Sequence, residues 1–249
     1  MRRLLAVAVC IAGIAFRCGA AQQQVLIVAD EFHAMQVLAS QLEADTHVVT
    51  RIVGQTELPP SLATYKAVLV YIHGDLRPAA EQKFIDYAKG GGDLVLLHHT
   101  ISSGKRENKD WFTFLQIELP KKALADGGYT YFDPVSYQVV NLAPGNPITT
   151  RAVAFDSKFA FGQKGNLPGT TFTETEVYLH HVLQGERTVL LGLVYTDAKT
   201  GTVYQQPTAG WMLPTGKGEV FYFQMGHRAE DFQNAAYRHM LDNAVEFSK

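Results

Sequence analysis

The stretch that most constrains this chain is Gly90-Gly91-Gly92-Asp93-Leu94-Val95-Leu96-Leu97-His98-His99-Thr100. Glycines stop a helix, four large apolar residues follow without a polar break, and two histidines close the run. An amphipathic strand alternates, whereas an unbroken apolar run of this length is what a strand buried on both faces of a parallel sheet requires. In open α/β sheets ligands bind outside the carboxyl ends of the strands, so His98 and His99 stand where chemistry is usually placed.

The residues before this run repeat the pattern. Gln24 to Asp30 (QVLIVAD) is a buried strand ending in Asp30-Glu31-Phe32-His33, and Met35, Leu38 and Leu42 fall at helical spacing behind it. A second strand spans His47 to Val53, Leu58-Pro59-Pro60 is a turn, and Ala67 to Ile72 is a third strand ending in His73-Gly74-Asp75. Pro78 opens a helix with Phe84, Ile85 and Ala88 on one face. Strand, helix, strand, helix, strand in this order predicts right-handed βαβ units and an α/β fold: a flavodoxin-like, doubly wound, mostly parallel sheet with helices on both faces.

Beyond the histidines the pattern loosens. Ile101 to Asn108 is polar, Trp111 to Leu115 is a short helix or turn, and Tyr129 to Val140 alternates aromatic and polar residues. Thr188 to Tyr195 and Glu219 to Phe223 read as strands, Asn166 to Thr173 as loop, and Phe232 to Phe247 as the closing helix. No repeat or linker divides residues 22–249, so one domain is expected.

The first 21 residues are read apart from the fold. Met1-Arg2-Arg3, an apolar run from Leu4 to Phe16 and the small residues up to Ala21 have the form of an export signal cut near Ala21, leaving Gln22 first and placing the mature protein in a periplasm or outside the cell. Both cysteines, Cys10 and Cys18, lie in that leader. The mature chain then has no disulfide framework, cysteine metal site or cysteine nucleophile. Its loss also removes Arg2, Arg3 and Arg17 and no acid, so a formal charge of −2 moves three units further negative. An acidic chain without a basic run argues against nucleic acid and against a membrane partner after cleavage; a small neutral or polar molecule fits better.

With these motifs in order, the chain resembles the trehalose-utilisation (ThuA-like) family, whose fold is similar to class I glutamine amidotransferases. The carrying residues are Gly90-Gly91-Gly92-x-Leu94-Val95-x-Leu97-His98, Asn146-Pro147-Ile148-Thr149, Thr173-Glu174-Thr175-Glu176-Val177-Tyr178, and Gly216-Lys217-Gly218-Glu219-Val220-Phe221-Tyr222 running into Met225-Gly226-His227. The resemblance covers roughly Val25 to Phe247. Two departures stand out: Asn146 where the family usually has histidine, and His99 where the residue after the strand histidine is commonly small. In the amidotransferases the strand end carries a cysteine on a sharp turn. Here His98 takes that place, and an imidazole does not form the thioester of a glutaminase.

The candidate catalytic groups are His98, His99, His227 and Glu176. His98 and His99 end the central strand, with either one free to face the cleft; His227 follows a strand that ends in glycine; Glu176 matches the family's acid before a tyrosine. Asp30 and His33 end the first strand and His73 and Asp75 the third, all candidates for substrate binding, although capping and turn chemistry explain aspartates well. Tyr178 and Trp211 are candidate sugar-stacking residues. His180 and His181 are adjacent strand residues, of which at most one enters a pocket, and His47 and His239 are surface or packing residues.

Three functions remain open. One is His/Glu acid–base isomerase or lyase chemistry on a carbohydrate, a keto-sugar or glycoside derivative, the substrate class coming from the resemblance. The second is a divalent metal such as zinc held by His98, His227 and Glu176, although no short ligand motif such as H-E-x-x-H is present. The third is a non-catalytic sugar-binding accessory protein.

Overall fold

The computed structural model describes residues 22–247. The export signal, its cleavage near Ala21 and both cysteines lie outside the described residues.

The chain runs β1 (Gln24–Ala29), α1 (Phe32–Thr46), β2 (Val49–Val53), β3 (Ala67–Tyr71), α2 (Pro78–Gly90), β4 (Asp93–Leu97), α3 (Lys109–Leu115), β5 (Ile117–Glu118), β6 (Thr130–Asn141), α4 (Pro147–Thr150), β7 (Ser157–Ala160), β8 (Asn166–Leu179), β9 (Val182–Leu183), β10 (Thr188–Thr196), β11 (Val203–Thr215), β12 (Gly218–Phe223) and α5 (Ala235–Val245). Ten strands form one sheet in the order β2-β1-β3-β4-β12-β11-β10-β6-β8-β7. β2, β1, β3, β4 and β12 are parallel. From β12 onward, every neighbouring pair is antiparallel. The fold is therefore the expected α/β class, with a doubly wound parallel half and an antiparallel half of similar width.

The unbroken apolar runs are explained by helices on both faces. In β1, Val25, Ile27 and Ala29 join the core under α1 and α5, while Leu26 and Val28 join the core under α2 and α3. β4 splits in the same way, Val95 and Leu97 to one side and Leu94 and Leu96 to the other. Burying one such side chain is worth roughly 1.5–3 kcal/mol, so strands that bury all but their first residue anchor the domain.

Two of the three glycines before β4 have separate jobs. Gly91 takes φ 118° as the C-cap of α2, a conformation that side chains resist. Gly92 lies under the Tyr87 ring, where a Cβ would come within 2.2 Å of a ring carbon.

Residues 166–173, expected as loop, form the first half of β8. Pro168-Gly169 reads as a breaker, but Gly169 pairs with Val140 and Ser157, and a Cβ there would approach the Val139 carbonyl to 2.4 Å. The glycine serves close strand packing rather than a turn. The closing helix is also shorter than its periodicity implied, because Ala229–Gln233 is a separate 3-10 turn. No helix among the described residues is long and apolar enough to cross a membrane.

Candidate active site

The site gathers where the carboxyl ends of β3, β4 and β12 meet the returning strand β8. β4 stops at Leu97, and His98 to Ile101 form a 3-10 turn that starts with His98 at φ 42°. A left-handed histidine costs about 1–3 kcal/mol and persists where the surroundings over-determine it. Here it cancels strand alternation: instead of pointing to opposite faces, both rings enter one cluster, with centroids 4.3 Å apart. Of the pair, His99 lines the cavity that opens on this cluster and His98 does not, which divides their labour.

His98 is fully buried, between the Gln224 carbonyl at its Nδ1 and the Glu176 carboxylate, 2.9 Å from its Nε2. Its carbonyl oxygen accepts from the Tyr222 hydroxyl at 3.3 Å. His99 places Nδ1 2.8 Å from the Tyr178 hydroxyl and 3.7 Å from Glu176. His227 Nδ1 lies 3.8 Å from the same Glu176 oxygen, and its Nε2 lies 3.7 Å from Asp133. One carboxylate oxygen is therefore the focus of three imidazoles.

Glu176 and Tyr178 reach this point because they are two residues apart on β8 and share a face. A bulge in the β6–β8 pairing near Val135, with Glu174 at φ 53°, sets their register. The His227 loop is pinned from behind. Tyr71 donates to the His227 carbonyl at 3.1 Å, and one Asp231 oxygen accepts from Thr175 Oγ1 at 2.7 Å and from the amides of Gly226 and Arg228 at 3.3 Å.

Burial raises the Glu176 pKa, but the His98 hydrogen bond and charge, with help from Tyr178 and His227, outweigh it and hold the carboxyl below its usual range. Burial, then the neighbouring His98, His73 and His227 rings, drives His99 far below an ordinary histidine. Burial and His98 lower His227 as well, against the pull of Glu176 and Asp133.

A cavity of about 370 Å³ opens on this cluster and has room for a sugar-sized ligand. Its wall includes His73, His99, Tyr129, Tyr131, Asp133, Glu176, Tyr178 and His227. His98 does not reach the cavity; it stands behind Glu176 as a positioning residue. Three larger cavities, around Lys83 and Gly90, around His180 and Arg187, and around Arg106 and Gln184, bring together no comparable set of acid and imidazole groups.

The remaining sequence candidates fall differently. His73 stacks flat on His99 at 4.0 Å and contacts Glu31 at 3.0 Å. Asp30 accepts from the amides of His73 and Gly74, both at 2.7 Å, so it clamps the turn after β3. His33 is exposed and does not line the cavity. Trp211 is no sugar platform: it is fully buried, packed against Tyr222 with the Arg187 guanidinium over its ring. His181 is buried against Tyr129 and Tyr178, half-buried His180 has Nδ1 at the Gly128 carbonyl, and both line the cavity around Arg187 where at most one was expected to enter a pocket, because His180 at φ 63° breaks the strand alternation.

Sequence reasoning missed Asp133, Tyr129, Tyr131, Asp231 and Lys105. Lys105 is fully buried, and its ammonium donates to the carbonyls of Ile72 and His73 at 2.7 and 2.8 Å; burial lowers its pKa to about 8. A lysine in a polar loop carries no signal of this. Alternation in Tyr129 to Val140 does place Tyr129, Tyr131 and Asp133 on one face, which was the one available clue.

The model of the family described as trehalose utilisation, ThuA, matches residues 25–248. The chain belongs to the ThuA family. Among solved structures, a ThuA-like protein from Bacteroides uniformis superposes on this ThuA chain with a TM-score of 0.63 at 19 % identity, covering 94 % of each. A carbohydrate deacetylase, Agd3, gives 0.56 at 14 % identity, over 89 % of this chain and 32 % of its own. A β-galactosidase from Rahnella gives 0.53 at 14 %, over 88 % and 31 %. At such identities the shared property is the fold. No curated protein sequence matches the ThuA chain.

Proposed function

We propose that this ThuA-family chain is an exported enzyme that acts on a carbohydrate, a keto-sugar or glycoside derivative, by proton transfer leading to isomerisation or elimination. The observation that carries the reading is the pairing of Glu176 and His227 on one cavity wall, each held from behind: Glu176 by buried His98, His227 by Tyr71 and Asp231. The substrate class rests on the family's description. The exposed ring of Tyr131 at the cavity supports it, since an aromatic face left in water beside polar groups suits a sugar ring.

Removing a proton beside a ketone needs a base and a donor for the oxygen that gains charge. Glu176 is an acceptor at the cavity floor, and His227 and Tyr178 are the donors within reach of the same point. Glutamine hydrolysis lies outside this chemistry, because residues 22–249 contain no thiol to form the acyl intermediate.

Turnover of keto-glycosides by purified protein tests the assignment. Glu176→Gln and His227→Ala each lower kcat/KM by about 100-fold or more while circular dichroism stays unchanged. Full activity in both variants refutes it, and sugar binding by calorimetry with no product under any condition would mark a binding protein instead. Amino-terminal sequencing of the mature protein, expected to begin at Gln22, tests export.

A further inference from the structure

The geometry points to a binding site for one divalent transition-metal ion of the zinc class, held by His98 Nε2, His99 Nδ1, His227 Nδ1 and a carboxylate oxygen of Glu176. These four residues each offer a donor atom, all within 4.8 Å of one another. The Glu176 oxygen stands 2.9, 3.7 and 3.8 Å from the three nitrogens. Ligand bonds of about 2.0–2.1 Å to a tetrahedral ion separate neighbouring donors by about 3.4 Å. The observed spacings bracket that value.

Ring orientation is a second, independent argument. A metal binds an imidazole in the ring plane, so ligands of one ion need planes that cross at a point. The His98, His99 and His227 planes are inclined to one another at 70°, 63° and 72°. Their centroids are 4.3, 5.2 and 5.2 Å apart, where three imidazoles around a tetrahedral ion stand about 5 Å apart. His73 fails the same criterion: its ring lies 4° from parallel to His99, so Glu31, His73 and His99 cannot share an ion as they stand.

Two of the three outer nitrogens are arranged as metal-bound histidines require, while the third, His99 Nε2, is buried without a hydrogen-bond partner. His98 Nδ1 donates to the Gln224 carbonyl, and His227 Nε2 faces Asp133, which fixes the ring orientations and leaves the inner nitrogens toward Glu176. His227 Nδ1 is buried with no hydrogen-bond partner. The buried cation nearest the cluster in the fold, Lys105, is committed to the Ile72 and His73 carbonyls. Binding an ion exchanges the Glu176 hydrogen bond at His98 Nε2 and the Tyr178 hydrogen bond at His99 Nδ1 for coordinate bonds. Three nitrogens and one oxygen select zinc, cobalt or nickel over magnesium or calcium.

This inference rests on the cluster being the reactive centre; with an ion bound, Glu176 and His227 would serve as ligands rather than as free proton-transfer groups, and the ion would supply Lewis acidity to a sugar oxygen only by expanding to a fifth ligand. The remaining candidate group, Asp45, His239 and Asp242, is spoken for, because Arg238 holds the Asp45 carboxylate with two hydrogen bonds.

The experiment uses untagged full-length mature protein, stripped with chelator and titrated with zinc(II) and cobalt(II). The expected result is one ion per chain, a rise in melting temperature, and the visible d–d absorption of cobalt in a nitrogen and oxygen site. His227→Ala and Glu176→Gln weaken zinc binding by at least about 100-fold, and Asp133→Asn, outside the ligand set, weakens it by about 10–100-fold. Asp133 is 40 % exposed, so that variant keeps the test decisive if the buried ones misfold. His239→Ala leaves binding unchanged. Absence of uptake, or uptake that survives all three cluster variants, overturns the site. Full keto-glycoside turnover by metal-free protein overturns the Lewis-acid role of the ion while sparing the proposed function; one ion per chain without turnover of any sugar supports the site and overturns the proposed function.

Discussion

Asp231 offers the clearest test of how the site is held. One of its oxygens takes three donors: Thr175 Oγ1 from β8 at 2.7 Å, and the Gly226 and Arg228 amides from the His227 loop at 3.3 Å. It therefore ties the strand that carries Glu176 to the loop that carries His227. In Asp231→Ala the short bond to a charged acceptor is worth about 1.5–3 kcal/mol and each longer one about 0.5 kcal/mol, and the buried donors are left unpaired. The expected loss is about 3–4 kcal/mol. With a urea m-value near 3 kcal/mol/M, the midpoint falls by about 1 M. Asp231→Asn keeps an acceptor oxygen but not the charge, and should lose about half as much. Hydrogen exchange at the Gly226 and Arg228 amides speeds up in both. An alanine variant within about 1 kcal/mol of the parent would refute the idea that this carboxylate couples the two segments.

Two further outcomes follow from other residues. Burial and the neighbouring Asp45 carboxylate raise Asp242 to about 6. Between roughly pH 4 and that value the folded state keeps a proton that the unfolded chain has released, so this group's stabilisation, full in acid, is lost as pH rises through about 6. Asp242→Asn should flatten that fall and stabilise the protein at pH 7 by up to about 2 kcal/mol, read as melting temperature against pH; a variant with an unchanged profile argues against it. Tyr131 is 56 % exposed at the cavity, so Tyr131→Ala should leave the fold intact and raise KM for a keto-glycoside about tenfold with little change in kcat. Unchanged KM would remove Tyr131 from the ligand site.

The parallel half was legible because its signals are local. Apolar runs in β1, β3 and β4, Pro78 at the start of α2 and glycines at its end each act within a few residues. β8 was half missed because Pro168-Gly169 looks like a turn until its neighbour, the Val139 carbonyl, is known. At the site, position along the chain identified His98, His99 and His227, and family resemblance identified Glu176. Which of them meets a ligand depended on the His98 turn at φ 42°, which no residue-by-residue alternation anticipates. Trp211 was misread for the opposite reason: a large aromatic near a predicted site is most often core, and here Arg187 and Tyr222 enclose it. Lys105 and Asp231 act through carbonyls and amides whose positions exist only in the fold.

The sheet changes from parallel to antiparallel beyond β12, and the reactive groups come from both sides of that change: imidazoles from the ends of the parallel strands β4 and β12, the acid and phenol from the antiparallel strand β8, 78 and 79 residues beyond His98 and His99. The centre is thus a seam. Local opening of the antiparallel strands would separate Glu176 and Tyr178 from the histidines while the parallel half stayed closed, so chemical competence should be lost before global melting and should return only when the two parts are rejoined.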